Sequence, residues 1–403
     1  MRHVLVLIAL VAGLAACSSP DAEAPSAQAM DVPTGAESGE PHLYTDAEGT
    51  LWMSWVASVD SVRHALRYAT FDGASWSAPQ TAAQGTGWFV NWADVPSIRP
   101  LPDGRIAAHY LKSSSGSNIV YAYDVQVVQT TADGTWQPAF TPHRDSTATE
   151  HGFASLLPWD DDLLAVWLDG RNTNLSDEEH GGAMTLRAAL LTPEGTIRQP
   201  TQLDDRTCDC CPTSAVRTSA GALVAYRGRT EDEIRDIRLV RFDGTSWSEP
   251  YTLHADGWHI SGCPVNGPAL AAEGDRVVAA WFTGANGTPR VKAAFSSDGG
   301  RQFSDPLVLD SSGPVGRVDA VLLDDGSALV SWLDRGSDSG FIRARHIRPD
   351  GSMAAPITLT AASTSRGTGM PRMVRSGDDL YIAWVDDEVD RVRMARTPVS
   401  AIQ

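Results

Sequence analysis

The sequence predicts an all-β fold, a β-propeller of seven four-stranded blades whose ring is closed by a strand from the N-terminal side. Three observations carry this. An apolar run closing on an aromatic residue recurs seven times, as LWMSW at Trp55, IAAHY at Tyr110, LLAVW at Trp167, ALVAY at Tyr226, RVVAAW at Trp281, ALVSW at Trp332 and LYIAW at Trp384, with 51 to 59 residues between successive aromatics. A period near 50 with strand-like alternation marks an array of small sheets, none of which buries its own faces alone. Second, an acid followed by glycine recurs between the third and fourth strands, at Asp72-Gly73, Asp133-Gly134, Glu194-Gly195, Asp243-Gly244, Asp298-Gly299 and Asp350-Gly351; this is the turn chemistry that a positive φ demands. Third, there are six such turns for seven aromatic strands. The chain stops after the third strand of its last unit, near Arg393, and the missing outer strand can be supplied from around Ala29 to Pro33, which also removes a free edge. Six blades would follow if one repeat were miscounted.

The elements follow in order. Residues 1–16 run from Met1-Arg2-His3 through an apolar stretch to Leu14-Ala15-Ala16, the pattern of an export signal with a small-residue cleavage site. The site resembles the bacterial lipobox, which would make Cys17 the lipidated first residue and, with Ser18 after it, would sort the chain to the outer membrane facing the periplasm. A plain secretory signal is the alternative. Residues 17–40 are rich in Ala, Pro, Ser, Asp and Glu, a composition that does not repay ordering entropy and reads as a flexible tether. Residues 41–400 form the propeller. Within each unit the inner strand is a short β-rich run such as that after Pro96 or Pro268, the second ends on the repeated aromatic, and the third alternates, as from Tyr121 to Val127.

The chain carries 50 acidic against 32 basic residues and a net charge of −18. Nucleic acid and anionic membrane both need a basic footprint, so neither is expected as a partner, and membrane contact is expected through the lipid anchor only. No nucleotide-binding glycine loop and no Ser-His-Asp order fits the repeat.

Ser296, Asp298, Gly300 and Phe303 fit the pattern S-x-D-x-G-x-x-F/W, and Phe71 to Trp76 and Phe242 to Trp247 are shortened copies. On these Asp-box motifs the chain resembles the sialidase (neuraminidase) superfamily of propellers over residues 41–400, and more closely a group of exported bacterial sialidase-like proteins. The resemblance implies the fold, and a polar carbohydrate as the ligand of the central mouth. It also implies, for an enzyme, an exo-sialidase type of glycoside hydrolase with a cluster of arginines around a substrate carboxylate. Two family features are missing. The nearest echo of Phe-Arg-Ile-Pro is Ser97-Ile98-Arg99-Pro100, in the second repeat rather than the first, and no tyrosine stands in a late mouth loop. Whether the mouth binds a glycan or also hydrolyses it stays open.

In a propeller the loops entering the inner strands and those leaving the second strands open on one face. Acids, arginines and all the remaining cysteines of this sequence fall there, while the opposite face receives the acid-glycine turns. Asp94, Glu150, Asp169 and Asp319 are the catalytic candidates, since glycoside hydrolysis needs one carboxyl to protonate the leaving oxygen and a second group as base or nucleophile. Trp92, His151, Arg171, Arg227, Arg235, Arg290, Asn266 and Arg317 are the ligand-binding candidates, with Trp88 and Trp258 as further stacking faces. The alternative is that these charges pair between blades and hold the ring together.

Cys208, Cys210, Cys211 and Cys263 enter the fourth and fifth blades on adjacent loops. In an oxidising compartment four thiols read as two disulfides. The other reading is a thiolate site for Cu or Zn, or a redox site, although the adjacent cysteines depart from the paired spacing usual for zinc. This gives the competing function, a non-enzymatic propeller with a metal or redox site; a scaffold for an envelope protein partner is the third. The carbohydrate reading requires no cofactor.

Overall fold

The computed structural model describes residues 26–114, 116–173, 182–336 and 339–402. The export signal, Cys17 and the first residues of the tether lie outside the described residues. The body is a ring of seven antiparallel sheets. Blade 1 comprises Ser38–Thr45, Leu51–Ser58, Arg63–Phe71 and Gln80–Thr86. Blade 2 comprises Ser97–Pro100, Ile106–Ser113 and Tyr123–Gln129, its outer position held by bridges from Phe140 to Val127 and from Trp136 to Thr130. Blades 3, 4, 5 and 6 begin with the inner strands His151–Trp159, Ser214–Thr218, Ala269–Glu273 and Gly316–Leu322. Blade 7 comprises Arg372–Ser376, Asp379–Asp386 and Arg391–Pro398, and its outer strand is Gln28–Met30, paired with Arg396, Ala395 and Met394. Inner strands of consecutive blades touch in chain order, and that of blade 7 touches that of blade 1, so the ring is closed with seven blades.

Residues 26–40 correct the boundary drawn from composition. Ser26 and Ala27 donate their amides to Thr358 and Leu359 of blade 6, Gln28–Met30 completes blade 7, and Ser38 opens blade 1. An outer strand is held by backbone pairing and needs few apolar side chains, so its composition resembles a tether.

The repeated aromatics fill the space between sheets, and they do more. Each faces a polar partner on the third strand: Arg67, Gln126, Arg187, Arg238, Lys292, Arg343 and Arg393 for blades 1 to 7. In blades 4, 5 and 6 an aspartate from the end of the preceding blade joins the pair. Tyr226 Oη donates to Asp204 at 2.5 Å, Trp281 Nε1 to Asp256 at 2.7 Å and Trp332 Nε1 to Asp310 at 2.8 Å. Arg238 and Lys292 pair with the first two of these carboxylates, at 2.6 and 2.5 Å. The motif is therefore a clamp between neighbouring blades as well as core.

The Asp box behaves as its sequence predicts. Asp298 Oδ1 accepts the amides of Arg301 and Gln302, Ser296 Oγ accepts that of Gly300, and Gly299 and Gly300 take φ of 70° and 82°. In the shortened copies Asp72 and Asp243 accept the amides two and three residues on, and Phe242 stacks on Trp247 at 4.8 Å.

Candidate functional site

The inner strands are tied around the ring by side chains that accept an amide of the next blade. Asp94 Oδ2 accepts from Phe153 N at 2.8 Å, Ser214 Oγ from Leu270 N at 3.1 Å, Asn266 Oδ1 from Arg317 N at 2.6 Å and Asp319 Oδ2 from Met373 N at 2.8 Å. Phe153 and Arg317 sit at bulges in their strands with φ of 52° and 53°, in the left-handed region that non-glycine residues rarely adopt. A bulge frees an amide from the ladder, and the preceding blade supplies its acceptor. Asp94, Asn266 and Asp319 thus have a structural task.

The arginine candidates are engaged one by one rather than gathered into a carboxylate clamp. Arg227, 1% exposed, donates to the carbonyls of Asn266, Arg235 and Phe282 at 2.8, 2.6 and 2.8 Å and lies 4.8 Å above the Trp258 ring. Arg290 donates to the carbonyls of Ala285 and Thr288. Arg317 donates to Gly369 O at 2.8 Å and covers Trp92 at 4.5 Å. Arg171 grips Asp169 through two bonds of 2.6 and 2.7 Å. Of the stacking candidates, Trp258 is buried beneath Arg227, and Trp88 packs on Tyr110 at 4.3 Å.

Glu150 and His151 are neighbours in sequence with different surroundings. His151 Nδ1 lies 3.1 Å from Asp124 Oδ1, its Nε2 lies 3.0 Å from Asp145 Oδ2 and 3.8 Å from Asp169, and its ring stacks on His143 at 4.2 Å. Burial opposes its charge, yet the bonds to Asp124 and Asp145 and the nearby Asp169 raise its pKa. His151 thus sits among three carboxylates that favour its charge, behind a cavity of about 350 Å³ lined by His143, Arg144, Trp167, Arg171 and Arg187. A larger depression of about 920 Å³, around Trp384 and Arg393 between blades 6 and 7, shares no residue with the site candidates.

Glu150 instead meets Asp94 through a residue that the sequence reading treats only as part of a strand. Tyr123 Oη lies 2.8 Å from Glu150 Oε1 and 2.9 Å from Asp94 Oδ2. A phenol carries one proton and can donate to one carboxylate at a time. Both contacts are hydrogen bonds when one acid is protonated, and Glu150 is that acid. Burial pushes its pKa up to about 8, with Asp94, Asp209 and Cys263 adding to the shift. Asp94, raised by burial to about 6, is held lower by the Phe153 amide. The relay runs from Glu150 to Tyr123 to Asp94 and ends on a backbone amide. Gly152 makes room for it, since a Cβ there would collide with Asp94 Oδ2 and sit 2.5 Å from Tyr123 Oη.

Among the described residues Cys208, Cys210, Cys211 and Cys263 are free thiols. Cys208 Sγ lies 3.0 Å from Cys211 Sγ and 3.9 Å from Cys210 Sγ, beyond the ~2.05 Å of a disulfide. Cys208 and Cys211 are themselves a Cys-x-x-Cys pair, which the crowded motif conceals. Arg235, paired with Glu233 at 2.7 Å, donates to Cys208 Sγ at 3.3 Å. Asp209 pairs with Arg229 at 3.2 Å.

No protein-family model and no curated protein sequence matches the chain. Solved structures match its fold. The alpha-L-arabinofuranosidase Arb93A of Fusarium graminearum, in complex with an iminosugar inhibitor, shares 12% identity over 94% of this chain and 98% of that one, with a TM-score of 0.50. The NanB sialidase of Streptococcus pneumoniae shares 12% over 94% and 71%, with a TM-score of 0.49. The alpha-L-arabinanase of Penicillium chrysogenum, complexed with arabinobiose, shares 11% over 94% and 99%, also at 0.49. At such identities the likeness is one of fold, the propeller architecture that the Asp boxes announce.

Proposed function

We propose that the mouth is a carbohydrate-processing site in which Glu150 delivers a proton to a glycosidic oxygen. The observation behind this reading is the single Tyr123 proton shared by two carboxyls, which leaves Glu150 as a neutral, part-exposed acid at the entrance of the third inner strand. A glycosidase needs such an acid at neutral pH, and burial is the usual means of keeping one. A propeller of similar fold carries the name of an arabinofuranosidase, which agrees with a glycan ligand. Asp94, almost fully buried, acts as a positioning residue through Tyr123. The chain works in the cell envelope, held through lipid on Cys17 and facing the periplasm.

The test is a library of polysaccharides and oligosaccharides presented to the wild-type protein and to Glu150→Gln. The amide mimics the protonated acid in shape and keeps a donor for Tyr123, so the variant should bind the same glycan and fail to cleave it. A wild-type protein that binds no glycan, or a variant that cleaves at the wild-type rate, overturns the proposal.

A further inference from the structure

Apart from the small contribution of Cys263 to the Glu150 shift, the four thiols have no part in the glycan reading, and their arrangement suits a different ligand. Cys208, Cys210 and Cys211 stand on the loop entering blade 4, and Cys263 stands on the loop entering blade 5. These loops are fixed by their own contacts. Cys208 N donates to Arg227 O at 2.9 Å, and Arg227 in turn donates to Asn266 O on the second loop. Gly267 passes so close to Pro212 that a Cβ would collide with its carbonyl. The thiols are thus brought together by backbone packing and do not depend on a covalent link.

The sulfurs form one cluster rather than two separate pairs. Those of Cys208, Cys210 and Cys211 all lie within 4.8 Å of one another, and Cys263 on the next loop lies near Cys210, outside that group. Two disulfides would leave each sulfur with one close sulfur neighbour; here Cys208 and Cys210 each have more than one. The cluster is dry on its inner side, with Cys208 and Cys211 at 0% and 1% exposure, and open on its outer side, where Cys263 is exposed. A guanidinium from Arg235 touches Cys208.

We infer that Cys208, Cys210 and Cys211 form a binding site for one soft monovalent metal ion, Cu(I), capped by Cys263. Thiolates select soft ions, and a buried, water-poor site favours one that needs no aqua ligand. The close group holds three sulfurs, which suits a three-coordinate soft ion, whereas a structural zinc takes four ligands. Three thiolates and one Cu(I) leave a charge of −2, partly balanced by Arg235, whereas the acids nearby, Glu150 and Asp209, stay outside the cluster. Any thiol proton still held is released to solvent on binding, since the metal takes thiolates.

The experiment uses the full chain purified without oxygen or chelator and titrated with Cu(I) against a competing chromophoric chelator. One ion per chain should be retained, with a thiolate-to-copper charge-transfer absorption. Cys210→Ser, at a part-exposed position that tolerates the change, should abolish that absorption, and Cys208→Ser should do the same where it folds. Cys263→Ser should keep the stoichiometry and weaken binding by about 10- to 100-fold, as loss of a supporting group does. Four oxidised cysteines in the protein as isolated, Zn(II) retained in preference to Cu(I), or equal copper binding by Cys210→Ser would each overturn the inference. None of these readouts involves glycan, so the two proposals fail separately.

Discussion

Replacing Glu150 by glutamine should change the pH dependence of stability in a way that no ordinary surface carboxylate could. Burial raises the Glu150 pKa from 4.5 to about 8. A carboxyl that holds its proton more tightly in the folded chain contributes its full share below the unfolded value near 4.5. It loses that share as pH rises through the folded value, because unfolding then releases a proton. The wild-type protein should therefore lose about 1.4 kcal/mol per pH unit relative to Glu150→Gln across this window, on the order of 4 kcal/mol by pH 8.5 as a ceiling. For a chain of this length that is a divergence of about 5 °C in melting temperature. The variant cannot titrate, so subtracting its curve also removes the slope that His151, with its own raised pKa, adds to both proteins. Thermal melts of the two proteins every half unit from pH 4.5 to 9 make the measurement. Curves that stay parallel throughout would show Glu150 to be ionised in the folded state, and the relay through Tyr123 would fall with it.

Asp256→Ala should cost about 3–5 kcal/mol, because Lys292, mostly buried, loses its carboxylate and Trp281 its acceptor; a loss below about 1 kcal/mol in denaturant melts would rule out the blade clamp. Gly152→Ala should destabilise by about 1–3 kcal/mol and abolish glycan cleavage, since the new methyl displaces Tyr123 and Asp94; full activity would show that the relay is not needed. Deleting residues 26–31 should lower the melting temperature by several degrees by opening blade 7, whereas a true tether would be removed without effect. Cys17→Ser should prevent incorporation of labelled fatty acid and release the protein in soluble form; continued labelling would exclude Cys17 as the anchor.

The ring was the most legible part of this chain because propeller repeats write the same short-range chemistry seven times. The apolar run to Trp332 and the turn at Asp350-Gly351 each state a local requirement, burial in one case and positive φ in the other. The ties between blades were less legible, since each joins residues far apart in the chain. Yet they recur: the carboxylates at Asp204, Asp256 and Asp310 precede their aromatics by 22, 25 and 22 residues, a regularity that could have been found. Tyr123 was missed for a physical reason, because an aromatic at an inward position of a strand normally fills core and only its partners show that its hydroxyl is in use. For the mouth arginines, residue type pointed to anion binding, whereas the structure surrounds Arg227 and Arg290 with carbonyl oxygens. Asp94 and Glu150 were both legible by position; that they share one proton donor was not.

The most direct test of the central claim is the pH profile of kcat/KM for the glycan that the library selects, which reports the ionisation of essential groups in the free protein. The account predicts a rate that falls above about pH 8 as Glu150 gives up its proton, and no measurable rate in Glu150→Gln at any pH. A profile that falls instead through the ordinary carboxylate range near pH 4 to 5, or one unchanged in the variant, would contradict it.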